Sequence, residues 1–99
     1  MHIVTQTRLR EFARRYPVAD APLRRWEALM RSRKYQSPSQ IKADFGATVD
    51  FLSDNRIVFD IGGNRFRLVA KILYKRGWVL IRHVLTHKEY DWKSSEGTL

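Results

Sequence analysis

The hydrophobic period changes once along this chain, and that change limits the folds open to it. Before residue 36, apolar side chains recur at helical spacing, first as Leu9, Phe12, Ala13 and Tyr16, then as Leu23, Trp26 and Met30. From Arg56 onward they alternate. Ile57, Phe59 and Ile61 are interleaved with Arg56, Val58 and Asp60, then Phe66, Leu68, Ala70, Ile72 and Tyr74 with Arg65, Arg67, Val69 and Lys71. A strand period cannot be laid on a helix without scattering its apolar residues, so helices and strands occupy separate stretches. The expected fold class is therefore α+β, with an N-terminal strand and a helical hairpin packed on a curved antiparallel β-sheet, and 99 residues form a single domain over 1–99.

Punctuation residues divide these stretches. Ile3 and Val4 suit a sheet edge, Pro17 ends the first helix, and Asp20 is a candidate N-cap with Pro22 in the first turn of a second helix reaching about Lys34. Ser37, Pro38 and Gly46 bracket a third, short helix over 38–45, and the remainder of 36–60 reads as connective structure. Gly62-Gly63-Asn64 supplies the positive φ angles of a hairpin; with Gly62-Gly63 as its loop, Asp60 lies opposite Arg65 and Val58 opposite Arg67. A two-residue loop at Arg76-Gly77 pairs Lys71 with Arg82, Ala70 with His83 and Arg67 with Thr86. That register gathers Arg67, Lys71 and Arg82 on an open face, with Arg65 near its rim, and sends His83 to the helix-covered face with a structural role.

Nineteen Lys and Arg against ten Asp and Glu leave a formal charge of +9. The charge is concentrated at both ends, +6 over 1–35 and +5 over 61–99, with −2 between. Like charges placed opposite one another on a sheet oppose folding, so a bound polyanion is the better explanation for such a face. The arginines Arg8, Arg14, Arg15, Arg24, Arg25, Arg31 and Arg33 exceed what a helical hairpin needs for solubility; Arg24 and Arg25 are candidate RNA contacts. The chain has no Cys, no apolar run of membrane-spanning length and no leader-like opening in Met1-His2-Ile3-Val4, so the expected setting is the cytoplasm, with no membrane partner. His2, His83 and His87 lack metal-ligand spacing, and Gly62-Gly63 lacks the Lys-Ser/Thr of a phosphate loop, so neither a metal nor a cofactor is expected.

The segment Thr86-His87-Lys88-Glu89-Tyr90-Asp91 closes the last strand beside Arg67 and brings proton carriers to fixed positive charge. RNA cleaved through its own 2′-OH needs a group to take the 2′ proton, one to protonate the 5′ oxygen, and cations around the phosphorus. These residues suit an RNA-cleaving enzyme. A non-catalytic basic module that only docks RNA or the ribosome is the alternative.

The opening Met1-His2-Ile3-Val4, the stretch Ala21-Pro22-Leu23-Arg24-Arg25-Trp26, the run from Asn55 to Val69 and the run from Ile81 to Asp91 together resemble HigB-type toxins of the RelE-like superfamily. The resemblance covers almost the whole chain. It implies a ribosome-dependent mRNA interferase with a helix-turn-helix, HigA-like antitoxin that neutralises it and reaches operator DNA, the toxin contacting that DNA only through the antitoxin. It implies that Arg67, in Phe66-Arg67-Leu68-Val69, contacts the scissile phosphate. His87 or Tyr90 would then serve as acid or base and Lys88 as a phosphate contact, while Arg65, Lys71 and Arg82, which the register gathers at the open face, are candidate RNA contacts on that separate ground. One departure stands out: RelE-like toxins often carry lysines on the strand before the hairpin, where this chain has Val58 and Asp60.

Overall fold

The helical stripes become α1 (Thr7–Arg15) and α2 (Asp20–Ser32) in a computed structural model that describes residues 1–99. A 3₁₀ turn over Pro17–Ala19 runs directly into α2, so Ala19 takes the cap position and Asp20 becomes the first helical residue. The Asp20 carboxylate turns instead to Arg24 Nε at 2.9 Å. The second helix stops at Ser32 because Arg33 is already extended, with φ −114° and ψ 157°. The third, α3 (Pro38–Phe45), begins and ends as its punctuation predicts: Ser37 Oγ accepts from the Gln40 N–H, and Gly46 takes φ +61°.

The strands β1 (His2–Val4), β2 (Val49–Phe51), β3 (Arg56–Ile61), β4 (Phe66–Leu73) and β5 (Trp78–Thr86) form one sheet in the order β1-β5-β4-β3-β2. It is not wholly antiparallel, because β1 runs parallel to β5. The middle segment is also more than connective: β2 pairs with β3 and buries Val49. One face of the sheet receives α2, with Leu23, Trp26 and Met30 packed among Ile57, Phe59, Leu68 and Ile72, and the Trp26 and Phe59 rings meet edge-on at 5.4 Å. Each such fully buried side chain contributes roughly 1.5–3 kcal/mol, which holds the hairpin to this face. No helix is long and apolar enough to cross a membrane.

Both hairpins pair differently from the two-residue expectation. Strands β3 and β4 close at Ile61 opposite Phe66, so the loop is Gly62–Arg65, Asp60 faces Arg67 rather than Arg65, and Val58 faces Val69. Strands β4 and β5 close at Leu73 opposite Trp78, and Lys71 faces Leu80 instead of Arg82. A loop longer by two residues shifts neighbours but preserves which face each side chain takes, so alternation reads faces correctly even where the register is wrong. A β-bulge then breaks that parity: Ala70 pairs with Ile81 and Val69 with His83, leaving Arg82 without a β4 partner. Beyond the bulge Val84 turns to the core and His83 joins Val69 on the opposite face, correcting the expected core position of His83.

That opposite face is not open. A fourth helix, α4 (His87–Glu96), crosses it in contact with β4 and β5, and Val58, Val69 and Leu85 are buried beneath. Its start is fixed by a capping box in which Glu89 N–H donates to Thr86 Oγ1 at 3.2 Å and Thr86 N–H to Glu89 Oε1 at 2.9 Å. Its end is fixed by Gly97 at φ +73° and by the Arg56 guanidinium, which donates to the Leu99 carbonyl. The segment from His87 is thus a helix, not the end of a strand.

Candidate active site

Between the sheet and α4 lies Arg67, the one charged side chain among the buried residues, at 8% exposure. It was expected on an open face and is instead enclosed, because α4 covers it and three acceptors surround it. Its Nε lies 3.2 Å from Asp60 Oδ1 across the hairpin, Nη1 donates to the Phe66 carbonyl at 3.0 Å, and Nη2 donates to Asn64 Oδ1 from the turn. The guanidinium lies over the Tyr90 ring, 5.9 Å from its centroid. Each terminal nitrogen carries two N–H groups and donates one of them, so one remains unspent on each.

Tyr90 is supplied by the second turn of α4. Burial, more than anything else, pushes its phenol above the ordinary tyrosine value, with Asp50 adding and Arg67 opposing. At neutral pH it is therefore a protonated O–H donor. His87 opens the same helix, its N–H donating to the Arg65 carbonyl at 3.0 Å. Its Nδ1 lies 3.0 Å from Asp91 Oδ2 at i, i+4, which orients the ring and leaves Nε2 without a protein partner. Lys88 is exposed on the next position.

The remaining expected contacts divide. Arg65 is exposed in the turn whose carbonyl holds His87. Lys71 shares the face of Arg67 but is engaged by Asp54, Nζ to Oδ2 at 3.0 Å, and this hydrogen bond holds the Asp54 carboxyl below its usual range. Arg82 sits exposed on the bulge. Arg24 and Arg25 are exposed on α2, the helix packed on the other face, and do not join Arg67. Sequence reasoning missed the roles of Asn64 and Asp91 and assigned Asp60 to the wrong arginine. The His-x₃-Asp spacing was a readable signal for Asp91; nothing short of the true register could assign Asp60.

Partial burial, reinforced by Lys93, Arg82, Arg8 and Arg56, lowers the His83 imidazole below the ordinary value of 6.5. An unfolded chain therefore binds the proton more readily than the folded one, and stability present above 6.5 is lost as pH falls below it. Chemical denaturation at about pH 7.5 and about pH 5.5 should show that loss, and His83→Gln should reduce it. An unchanged pH dependence in the variant would remove His83 as its source.

A small basic α+β chain with an enclosed arginine, a neutral tyrosine and a carboxylate-oriented histidine defines a class of site suited to moving protons around a phosphate. The chain belongs to the HigB toxin family: the family described as HigB_toxin, RelE-like toxic component of a toxin-antitoxin system, matches residues 19–93. The mRNA interferase toxin HigB of Escherichia coli K12 is 34% identical over 93 residues, spanning 93% of this chain and 89% of the relative. The mRNA interferase HigB of Shigella flexneri matches to the same extent, and that of E. coli O6:H1 strain CFT073 is 28% identical over 92 residues, spanning 92% of this chain and 89% of the relative.

Proposed function

We propose that this chain is the endoribonuclease of a toxin–antitoxin pair, cleaving translated mRNA at the ribosome by metal-independent attack of the RNA's own 2′-OH. Its family and its mRNA interferase relatives support the enzymatic reading over a passive RNA-docking module. The observation that carries the chemistry is Arg67, held against Tyr90 with an N–H unspent on each terminal nitrogen, on the strand that follows the turn whose Arg65 carbonyl anchors His87.

In this reading His87 Nε2 takes the proton from the 2′-OH as that oxygen bonds to phosphorus. The bond from phosphorus to the 5′ oxygen breaks, leaving a 2′,3′-cyclic phosphate, and the Tyr90 O–H gives its proton to the departing oxygen to make a 5′-hydroxyl, recovering a proton from His87 after product leaves. Arg67 and Lys88 stabilise the charge on the phosphoryl oxygens, and Tyr90 enters as a neutral O–H donor. Arg65, Lys71 and Arg82 line the path of the RNA strand, while Arg24 and Arg25 are placed for ribosomal RNA. The partner is a helix-turn-helix, HigA-like antitoxin that masks the basic surface and alone contacts operator DNA, and the setting is the cytoplasm.

Mapping the ends of message cleaved on ribosomes, with and without EDTA, tests the mechanism. The expected products are 5′-hydroxyl ends paired with 2′,3′-cyclic or 3′ phosphates, formed also in EDTA once the ribosomes are stabilised by polyamine. Recovery of 5′-phosphate ends, or a magnesium requirement beyond ribosome integrity, would overturn it.

A further inference from the structure

We propose that Asp60 and Asn64 are positioning residues that lock the guanidinium of Arg67 so that it presents one N–H from each terminal nitrogen to a single phosphate. The inference rests on the functional reading above and specifies how its central cation is aimed.

The pattern of acceptors carries the argument. An ion pair made for stability commonly lays a carboxylate across two guanidinium nitrogens. Here Asp60 Oδ1 approaches Nε to 3.2 Å as an ion pair, without a hydrogen bond, and each terminal nitrogen donates to its own neutral acceptor, the Phe66 carbonyl at 3.0 Å and Asn64 Oδ1. The three acceptors come from three places: β3, the backbone of β4 and the turn Gly62–Arg65. Together they fix the plane of the guanidinium and its rotation within that plane, while Tyr90 covers it at 5.9 Å. A free arginine side chain holds rotamer entropy that a flexible phosphate contact would lose on every binding event. Here that freedom is removed on folding, so the remaining N–H groups are preorganised for the charge that develops at phosphorus. The register explains why Asn64 stands in this turn: only the four-residue loop brings Asp60 opposite Arg67 and lets Asn64 reach back to the same side chain.

Asn64 gives the clean test, because it is exposed, its φ is not positive, and its removal strands no charge. In single-turnover cleavage on programmed ribosomes, Asn64→Ala should lower the maximal rate constant about 10-fold, with half-saturation within about 2-fold of the parent, since aim rather than binding is lost. Asp60→Asn keeps an oxygen beside Nε and should stay within about 3-fold of the parent, whereas Asp60→Ala should fall by about 10-fold or more. In an Arg67→Lys background there is no fork to aim, and Asn64→Ala should add no further loss. The Arg67 Nε–H resonance reports the lock without reference to cleavage: it should be protected from solvent exchange in the parent and lose that protection in Asp60→Ala. Parent kinetics in Asn64→Ala, equal damage from Asp60→Asn and Asp60→Ala, or an Nε–H already exchanging freely in an active parent would overturn the lock. A parent with a protected Nε–H that cleaves no RNA would overturn the functional reading instead.

Discussion

Arg67→Ala is expected to lower cleavage by about 10³-fold or more, because in the proposed mechanism this enclosed cation and its unspent donors serve the charge that develops at phosphorus. Unlike the loss of an exposed phosphate contact, this truncation also weakens the fold. Arg67 is 8% exposed, and its removal strands the Asp60 carboxylate and empties space under Tyr90. A fully buried pair broken this way costs about 3–5 kcal/mol, but the Asp60 side chain keeps 28% exposure, so a loss nearer about 1–3 kcal/mol is expected. Arg67→Lys separates the two effects. The ammonium keeps the charge against Asp60, so most of the stability returns, yet it cannot serve three acceptors and still present a planar pair of donors, so cleavage stays low. Thermal melting and single-turnover cleavage on the same preparations check both halves. A lysine variant that cleaves at the parent rate would reduce the role of Arg67 to its charge.

Which parts of this arrangement were legible in the sequence follows from what periodicity records. Alternation over Ile57–Ile61 and Phe66–Ile72 marks faces, and faces survive any even change in loop length, so the helical hairpin and its buried stripe were readable. Neighbours across a hairpin depend on loop length itself. The glycines Gly62 and Gly63 do adopt positive φ, as the turn required, but Asn64 and Arg65 extend the loop, and Asp60 thereby passes from Arg65 to Arg67. The bulge at Arg82 leaves still less trace, because one unpaired residue in a strand that reads Ile81-Arg82-His83-Val84-Leu85 is compatible with either parity. Val84 rather than His83 packs toward the core, and burying an aliphatic side chain there instead of an imidazole is the physical reason for the slip.

The missed helix α4 is a different kind of error. Thr86-His87-Lys88-Glu89 is a capping-box pattern, and Gly97 stands ten residues beyond His87, so both ends were marked. The interior hid it: no residue of α4 is fully buried, and only Tyr90 offers an aromatic face to the sheet while Trp92 stays 61% exposed. The helix is held by its cap, by Tyr90 on Arg67 and by Arg56 at its far end rather than by an apolar stripe.

His87→Ala is expected to reduce the maximal cleavage rate by about 10²–10⁴-fold, the range for loss of a positioned proton carrier. Little stability goes with it. The imidazole is 44% exposed and its partner Asp91 61% exposed, and a surface pair of this kind contributes about 0–1 kcal/mol. The His87 backbone N–H on Arg65, which anchors the start of α4, is retained in the variant. Two measurements distinguish proton transfer from simple contact with RNA. Added imidazole should restore part of the rate because Nε2 has no protein partner, and RNA affinity should change little. Asp91→Ala, which removes only the orienting carboxylate, should cost about 10-fold, since the histidine itself remains. Tyr90→Phe keeps the ring over Arg67 and removes the O–H, isolating the donor from the packing. A His87→Ala variant that shows no response to imidazole and loses RNA affinity in step with its rate would transfer the base to the RNA or the ribosome and leave His87 as a binding residue.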